Sequence, residues 1–270
     1  MPRQPEESVY LSFWEDTGAH FPSLKGAVST DYYRECEEIL LRDHIPAFVG
    51  RRLLKTDLWD EAKNTEILRW AAEQGARPFG IDISFSVARD ARAVLLAHRP
   101  GCVVADARAL PFASNSFDLI YSMGTIEHFH ETETAIGEMY RVLKPGGIAV
   151  VGVPNKLDPF LRPVMSGVMQ WLHVYPYGME KSFTAGGLRR MLTRAGFRVA
   201  ATSGVLFMPG WLRILDLWFH VRSSPLAALT GWLTRPFAWA YRRFPAVRRH
   251  GYLVACVAEK PHAAPAGGRP

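Results

Sequence analysis

The chain has 270 residues, 48% of them hydrophobic, which is enough to bury a sizeable core, so a wholly disordered protein is not expected. No run of 18 or more apolar residues occurs, and no transmembrane helix is predicted. The charged N-terminus lacks the apolar stretch of a signal peptide. Cys36, Cys102 and Cys256 are widely spaced and form no metal or redox motif, so we expect reduced thiols in a cytoplasmic protein.

The formal net charge of +6 comes from one segment of the chain. Residues 205–249 contain one acid, Asp216, against seven arginines, and this difference equals the whole excess. The arginines are Arg213, Arg222, Arg235, Arg242, Arg243, Arg248 and Arg249. The sequence pI of about 9.3 therefore indicates one basic segment rather than a generally basic surface.

Most of the predicted strands and helices alternate along the chain. Residues 1–28 hold aromatic and turn residues without a period and are expected to form an irregular arm, followed by a helix that Ser29 or Thr30 would cap. Apolar runs then predict strands, and apolar residues recurring every three to four positions predict helices. The predicted strands lie at 51–58, 76–83, 102–106, 116–123, 148–154, 197–207 and 251–260. The predicted helices among them lie at 61–74, 86–99, 130–143 and 184–196.

This alternation predicts an α/β fold, a parallel sheet with helices on both faces. The last two strands break the alternation and are candidates for an antiparallel edge. We divide the chain into an N-terminal arm and helix at 1–49, a sheet domain at 50–204 and 250–260, and an apolar, basic helical insertion at 205–249. The tail at 261–270, rich in Pro, Gly and Ala, is expected to be disordered.

Two acids follow predicted strands, where open α/β sheets bind their ligands. Asp82 lies at the end of the second strand, and a carboxylate there can accept hydrogen bonds from both hydroxyls of a ribose. The alternative is a cap on the next helix, for which Ser84 competes. Asp106 follows the third strand, where it can accept from an adenine amine or form an Asx-turn.

Two further motifs give the sequence a family resemblance. They are D-A-x-x-L-P-F-x-x-x-S-F-D at 106–118 and V-L-K-P-G-G at 142–147, which are specific as a pair. Together with Asp82, they make residues 50–200 and the last strand resemble the class I S-adenosylmethionine-dependent methyltransferases, of the methyltransferase type 11-like kind. The resemblance implies a Rossmann-like, mostly parallel seven-stranded sheet whose last strand is antiparallel.

The same resemblance implies S-adenosylmethionine as the cofactor, and we expect methyl transfer to a small-molecule or lipid-like acceptor. It implies that Asp82 holds the cofactor ribose, that Asp106 and the backbone of Ala107 hold the adenine, and that the residues after the fourth strand line the pocket. The full set of residues assigned to the cofactor in this way is Asp82, Ile83, Asp106, Ala107, Ser122, Met123 and Gly124.

The loop after the first strand departs from the family pattern. A glycine-rich turn is expected there, but residues 53–64 read LLKTDLWDEAKN. Either Asp57 or Glu61 takes the place of the first glycine, and the loop also contains Asp60. We interpret Asp57 and Glu61 as acids that meet the ammonium group of the cofactor. The alternative is a non-catalytic Rossmann-like binding or assembly protein in which cofactor binding has weakened. The stretch LKTDLWDEA also resembles a turn in a set of bacterial methyltransferase-like sequences, which favours a lineage variant.

Candidate catalytic residues lie in two stretches. His128 is the predicted base because imidazole titrates near neutral pH, and Glu127 would orient its ring or a substrate hydroxyl. Tyr177, with Tyr175 and Glu180, lies in a stretch that often contacts the acceptor in this family. The alternatives are a helix-capping or packing histidine and an aromatic loop. No metal site is predicted, because no histidine pairs with Cys or Asp at ligand spacing.

The insertion at 205–249 combines tryptophan, arginine and apolar stretches, a composition typical of segments at a membrane surface. Its tryptophans are Trp211, Trp218, Trp232 and Trp239. We expect contact with a membrane surface or a lipid-like acceptor, and hence a peripheral position at the inner membrane face. A lid over the active site and a dimer patch are alternatives. Nucleic acid is disfavoured, because the segment lacks lysine and is too apolar for a phosphate track.

Overall fold

The computed structural model describes residues 7–173, 175 and 177–262, with side chains from residue 9 onward. The α-helices are α1 (Glu7–His20), α2 (Val28–His44), α3 (Trp59–Lys63), α4 (Ile67–Glu73), α5 (Phe85–Leu95), α6 (Thr132–Val142), α7 (Arg162–Trp171), α8 (Ala185–Arg194), α9 (Gly210–Val221) and α10 (Leu226–Arg243). The strands are β1 (Arg52–Lys55), β2 (Arg77–Asp82), β3 (Gly101–Val104), β4 (Phe117–Met123), β5 (Leu143–Pro154), β6 (Arg198–Val205) and β7 (Leu253–Glu259).

These strands form one sheet in the order β3-β2-β1-β4-β5-β7-β6. Strands β1 to β5 pair in parallel, and β7 lies antiparallel between β5 and β6. The predicted Rossmann-like sheet with an antiparallel last strand is therefore confirmed. Strand β1 lies between β2 and β4. The chain passes from β1 to β2 on one side of β1, and β4 lies on the other side, so the loops that follow β1 and β4 diverge. Ligands of open α/β sheets bind in the crevice that such a divergence leaves.

Two apolar cores, one on each face of the sheet, hold the strands in place. Neighbouring side chains of a strand point to opposite faces, and Leu53 and Leu54 on β1 are buried in different cores. Residues of α2, α4 and α5 belong to the first core, and residues of α6 and α8 belong to the second. Burial of each such leucine contributes on the order of 1.5–3 kcal/mol. The strand ends that face the crevice are thereby held on a rigid support.

The N-terminal segment differs from the prediction of an irregular arm. Glu7–His20 forms helix α1, which packs on α5. Its apolar residues do not share one face, so they leave no helical period in the sequence. The helix is held by polar contacts as well: Glu15 accepts hydrogen bonds from the Ser84 hydroxyl (2.8 Å) and the Ser86 N–H (3.1 Å) at the start of α5.

The helix predicted at 61–74 is broken into α3 and α4. The break falls at Asn64–Glu66, where Glu66 adopts a left-handed φ of 57° that no helix continues through. The Asn64 side chain donates to Asp60 Oδ1 (2.8 Å), a local hydrogen bond of the kind that competes with helix formation. As a result, the acidic residues of α3 are buried rather than exposed on one long helix.

The segment between β6 and β7 contains α9 and α10, and both helices contact α2. Among the described residues, no helix combines the length and the apolar character that crossing a membrane requires. Of the tail predicted to be disordered, residues 263–270 lie outside the described residues.

A buried ion cluster holds the loop that follows β1. The Lys55 ammonium is 0% exposed and lies 2.9 Å from Asp57 Oδ1, 2.9 Å from Asp60 Oδ2 and 3.6 Å from Glu61 Oε2. Burial by itself would lower the pKa of Lys55, but the three carboxylates raise it well above its usual value. Burial also raises the pKa of Glu61 to about 7, against the attraction of Lys55. This cluster fixes a loop that has no glycine.

We expect Lys55→Met to lower the free energy of unfolding by about 3–5 kcal/mol, because it leaves the buried acids without their counter-ion. Urea unfolding at pH 7 measures the loss. Lys144→Met is the matched control, since it breaks an ion pair with Asp118 (2.6 Å) that is partly exposed and should cost less than about 1 kcal/mol. Equal losses in the two variants would contradict a structural role for the cluster.

Candidate active site

A cavity of about 200 Å³ opens at the carboxyl ends of β1, β2 and β4, and most of the predicted site residues line it. The predicted residues in its wall are Asp57, Asp82, Ile83, Asp106, Ala107, Met123, Gly124, Glu127, His128 and Tyr177. Glu61 and Ser122 do not line it, and both are fully buried. Glu61 faces Lys55 and accepts a hydrogen bond from the Leu68 N–H (2.7 Å), so its carboxylate supports the loop rather than the cavity wall.

Asp82 lies at the end of β2 with its carboxylate beside the cavity. Its Oδ1 accepts from the Ser84 N–H (2.9 Å) and its Oδ2 from the Leu58 N–H (2.9 Å). Ser84 rather than Asp82 caps α5, since its Oγ accepts from the Val87 N–H (3.3 Å). Each carboxylate oxygen thus keeps acceptor capacity for a ligand hydroxyl. Burial raises the pKa of Asp82 to about 7, against the two backbone donors, which lower it.

Asp106 is already engaged by a neighbouring arginine. The Arg108 Nε lies 3.0 Å from each carboxylate oxygen, its Nη2 lies 2.5 Å from Oδ2, and its backbone N–H donates to Oδ1 (2.7 Å) in an Asx-turn. Arg108 also lies over the rings of Tyr10 (5.6 Å) and Phe129 (5.4 Å). An adenine amine could therefore bind Asp106 only after the guanidinium has moved away, a constraint that the sequence did not reveal.

The carboxylate of Asp57, in the loop that follows β1, lies in the cavity wall. Its Oδ1 accepts from Lys55 (2.9 Å) and its Oδ2 from the Thr125 hydroxyl (2.8 Å), which joins the loop after β1 to the loop after β4. Gly124 precedes Thr125 with a φ of +77°, in the left-handed region that favours glycine, and this turn opens the end of β4 to the cavity.

The residues present fit S-adenosylmethionine at two positions. Asp82 has free acceptor capacity for the two hydroxyls of a ribose, and Asp57 places a carboxylate in the cavity wall where an ammonium group can meet it. The loop that the family builds from glycines is held here by the ion cluster on Lys55. The adenine position fits once Arg108 leaves Asp106.

His128 is neutral and has one ring nitrogen available as a base. Its Nδ1 lies 3.0 Å from the Met179 carbonyl oxygen, so Nδ1 carries the hydrogen and Nε2 keeps a lone pair. Burial lowers the pKa of His128, so the neutral ring dominates at pH 7. Trp14 of α1 packs edge-on against the ring, with the centroids 5.0 Å apart. The N-terminal helix therefore covers the predicted base.

Glu127 is buried beside this ring, with its Oε1 3.9 Å from His128 Nε2. Its Oε2 has no hydrogen-bond partner among the described residues. Burial, reinforced by the charge of Glu180, raises the pKa of Glu127 well above its usual range. The raised pKa favours the protonated carboxylic acid, which can donate a hydrogen bond.

Arg162, at the start of α7, is a cavity residue that sequence analysis missed. It is 1% exposed, and its Nη2 donates to Glu180 Oε1 (2.5 Å) and to the Tyr175 hydroxyl (3.3 Å). The guanidinium also lies over the ring of Tyr252, 4.2 Å from its centroid. Pro163 could have indicated a helix start in the sequence, but nothing there places Arg162 beside Glu180.

Tyr177 completes the aromatic wall of this end of the cavity. Its ring lies 5.6 Å from Phe21 and 6.1 Å from Trp59 between centroids. Burial raises the pKa of Tyr177 well above its usual value, so its hydroxyl stays protonated at neutral pH. It can position a substrate but is not a base.

The structure also groups three potential metal ligands that the sequence kept apart. One ligand atom from each of Glu127, His128 and Glu180 lies within 4.8 Å of the others. Sequence analysis predicted no metal site, because no histidine pairs with Cys or Asp at ligand spacing, and Glu180 is remote from His128 along the chain. Glu180 already pairs with Arg162 and accepts from the Tyr175 hydroxyl (2.5 Å), so its negative charge is compensated without an ion.

Comparisons with known proteins agree with this geometry. A family model described as "Methyltransferase domain" matches residues 63–151. The demethylmenaquinone methyltransferase of Thermus thermophilus is 32% identical over 35% of this chain, and the chain spans about half (50%) of that relative's length. The malonyl-[acyl-carrier protein] O-methyltransferase of Methylococcus capsulatus is 29% identical over 65% of this chain and 66% of its own length.

A solved structure shares the whole fold. The S-adenosylmethionine-dependent methyltransferase from Mesorhizobium loti superposes with a TM-score of 0.58 and 18% sequence identity, over 88% of this chain and all (100%) of that one. The sheet order, the crevice beyond β1 and β4, and the family match lead to one conclusion. Residues 63–151 of this chain match the methyltransferase domain, and the chain has the class I, S-adenosylmethionine-dependent methyltransferase fold.

Proposed function

We propose that this protein transfers a methyl group from S-adenosylmethionine to a small-molecule or lipid-like acceptor. The observation that carries the proposal is that Asp82, with free acceptor capacity at the end of β2, and the neutral His128 line one cavity. When bound, S-adenosylmethionine supplies an electrophilic methyl group on a sulfonium, so the protein needs to add only positioning, a base and exclusion of water.

The residues of the cavity divide this work. Asp82 accepts hydrogen bonds from the ribose hydroxyls, and Asp57 meets the ammonium group. His128 takes a proton from the acceptor at Nε2. Glu127, as a neutral acid beside the ring, donates to an acceptor oxygen. Trp14 of α1 packs on His128 and keeps water from the base.

The names of two relatives support the acceptor class. One is named a demethylmenaquinone methyltransferase and the other a malonyl-[acyl-carrier protein] O-methyltransferase. The first name points to a lipid-like acceptor and the second to a short acyl group. Either kind fits a cavity whose wall combines aromatic side chains with buried charges.

The exposed apolar surface of α9 and α10 supports a location at a membrane surface, with the protein in the cytoplasm and peripheral at the inner membrane face. The four tryptophans predicted to form an interfacial segment are all exposed. The basic residues divide: Arg213 is buried, Arg242 and Arg248 pair with acids of α2, and the remaining arginines are exposed. The exposed ones are Arg222, Arg235, Arg243 and Arg249. Exposed tryptophans beside arginines suit an anionic lipid surface.

A second candidate is a non-catalytic binding or assembly protein. The pair between Arg108 and Asp106 favours it, because this pair uses the acceptor positions that an adenine would need. Titration with S-adenosylhomocysteine separates the two candidates.

We expect S-adenosylhomocysteine to bind at pH 8, and Asp82→Asn to weaken it about 100-fold, because hydrogen bonds to a charged group contribute on the order of 1.5–3 kcal/mol each. The pKa of Asp82 is raised to about 7, so its charge, and the affinity, should be present above pH 7 and fall as the pH drops through 7. Isothermal titration calorimetry at pH 8 and pH 6 measures both effects.

Asp90→Asn is the control for this titration, because Asp90 lies outside the cavity wall. The Asp82→Asn protein should show a much weaker pH dependence than the wild type. No heat and no rise in melting temperature with the wild-type protein would support the non-catalytic candidate instead.

His128→Ala should lower turnover by about 10²–10⁴-fold and leave the affinity for S-adenosylhomocysteine unchanged, because the base acts on the acceptor. Turnover is followed as release of S-adenosylhomocysteine, with hydroxylated quinones and acyl carboxylates as trial acceptors. His130→Ala is the matched control, an exposed histidine of the same loop outside the cavity wall. An unchanged rate in His128→Ala would remove His128 as the base.

Flotation with liposomes tests the membrane contact. The wild type should float with vesicles that contain phosphatidylglycerol, less at high salt, and little with phosphatidylcholine alone. A variant with Trp211→Ser, Trp218→Ser and Trp232→Ser should lose flotation. Val49→Ser, which removes an exposed apolar residue outside these helices, should not change it. Absence of wild-type flotation with anionic vesicles would contradict the membrane location.

A further inference from the structure

Helix α9 brings a second buried arginine to the cavity. Arg213 is 8% exposed and lines the same cavity as His128 and Asp82. Its Nη1 donates to the Ser29 carbonyl oxygen (3.0 Å), and its guanidinium lies 5.2 Å from the ring centroid of Tyr33. Neither partner carries a negative charge.

Within the described part of the chain, no carboxylate forms an ion pair with Arg213. The nearest acid on its own helix is occupied elsewhere: Asp216 accepts from the Ser29 N–H (2.8 Å) and from the Thr230 hydroxyl (2.9 Å). A buried guanidinium without a counter-ion is costly, because burial removes the water that would solvate its charge. Arg213 therefore lacks the partner that buried arginines normally have.

Arg162 is only partly compensated. Glu180 and Tyr175 take its Nη2, whereas Nε and Nη1 have no hydrogen-bond partner among residues 7–173, 175 and 177–262. An unpaired donor in a buried site costs about 1–3 kcal/mol, and more when it is charged. Two N–H groups of a 1% exposed guanidinium in a cavity wall are thus unpaired.

The two arginines come from helices that touch. Helix α7, which begins with Arg162, contacts α9, which carries Arg213. A glycine permits the contact: a Cβ at Gly210 would lie 2.8 Å from Met165 Cε and 3.2 Å from Tyr252 Cε2. Tyr252 is also the ring beneath Arg162. The insertion helix therefore delivers its cation to the end of the cavity where the acceptor residues lie.

The two arginines differ in their counter-ions. Glu180 pairs with Arg162, whereas among the described residues no carboxylate forms an ion pair with Arg213. Asp57 and Asp60 also line the cavity, but each already lies 2.9 Å from the Lys55 ammonium. An anionic ligand would give Arg213 the counter-ion that it lacks.

We propose that the acceptor carries an anionic group, a carboxylate or a phosphate, that binds Arg162 and Arg213. This inference rests on the proposed function, since it assigns a substrate class to the same site. Arginine suits both anions, because its planar donors match carboxylate and phosphate oxygens. The basic insertion then has a role inside the protein as well as on its surface: α9 selects the substrate.

The test uses small probes on the full chain loaded with S-adenosylhomocysteine. Benzoate, phenyl phosphate and the neutral analogue benzamide are titrated by isothermal calorimetry at millimolar concentration. At least one of the two anions should bind 10-fold or more tightly than benzamide. Arg213→Gln and Arg162→Gln should each reduce that anion to the affinity of benzamide. Arg190→Gln, an exposed arginine on α8, should leave the preference unchanged.

Each result decides one point. Equal affinities for benzamide and both anions in the wild type, or a preference that survives in Arg213→Gln, would overturn the proposal. If Arg162→Gln fails to fold, as judged by its melting temperature, the proposal is tested with Arg213→Gln and the charge-retaining Arg213→Lys. The preference for the anion should be lost in Arg213→Gln and retained at least in part in Arg213→Lys. Tighter binding of benzoate identifies a carboxylate, and tighter binding of phenyl phosphate identifies a phosphate.

The same titrations keep this inference apart from the proposed function. A protein that does not bind S-adenosylhomocysteine but still prefers an anion over benzamide contradicts the methyltransferase proposal and leaves the anion site standing. A protein that binds S-adenosylhomocysteine but does not prefer an anion over benzamide contradicts the anion site and leaves the methyltransferase proposal standing.

Discussion

The contact on which the site depends is the buried ion cluster of Lys55 with Asp57, Asp60 and Glu61. A loop rich in glycine can approach a ligand because it has no side chains in the way. Here the loop has side chains, and Lys55 lies behind its acids: Glu61 turns away from the cavity, whereas Asp57 and Asp60 line it. Asp57 remains in the cavity wall, linked to β4 through Thr125, and the loop backbone at Leu58 donates to the acid at the end of β2.

Burial sets the protonation of the cavity and divides it into two ends. At the β2 end, Asp82 has a pKa near 7 and gains its charge just where a ribose would need an acceptor. At the other end, burial raises the pKa of Glu127 and lowers that of His128, which favours the neutral form of both, and Arg213 has no ion-pair partner among the described residues. One end of the cavity is therefore suited to the hydroxyls and amine of a cofactor and the other to an anion beside a base.

Sequence analysis could place the acids at the strand ends because the rule that governs them is local. A parallel sheet puts the end of each strand at the same edge, so Asp82 and Asp106 had to lie near one crevice. The motifs beyond them implied the seven-stranded sheet with an antiparallel last strand, which is confirmed. The state of Asp106 was not visible, because its pairing with Arg108 depends on side-chain rotamers rather than on position in the sequence.

What sequence analysis missed was determined by contacts between distant segments. Ser122 and Met123 are neighbours on β4, but the alternation of a strand puts only Met123 in the cavity wall. Arg162 and Arg213 carry no local signal, since the packing of α7 on α9 brings them to the cavity. Helix α1 was missed because its apolar residues do not share one face, and its contacts are with the cavity and with α5.

The most direct test of this account is a crystal structure of the protein grown with S-adenosylhomocysteine. The account predicts the ribose hydroxyls on the carboxylate of Asp82, the ammonium group near Asp57, and Arg108 displaced from Asp106 by the adenine. A cavity that stays without the nucleoside at saturating concentration, with Arg108 still paired to Asp106, would contradict it and leave only the fold.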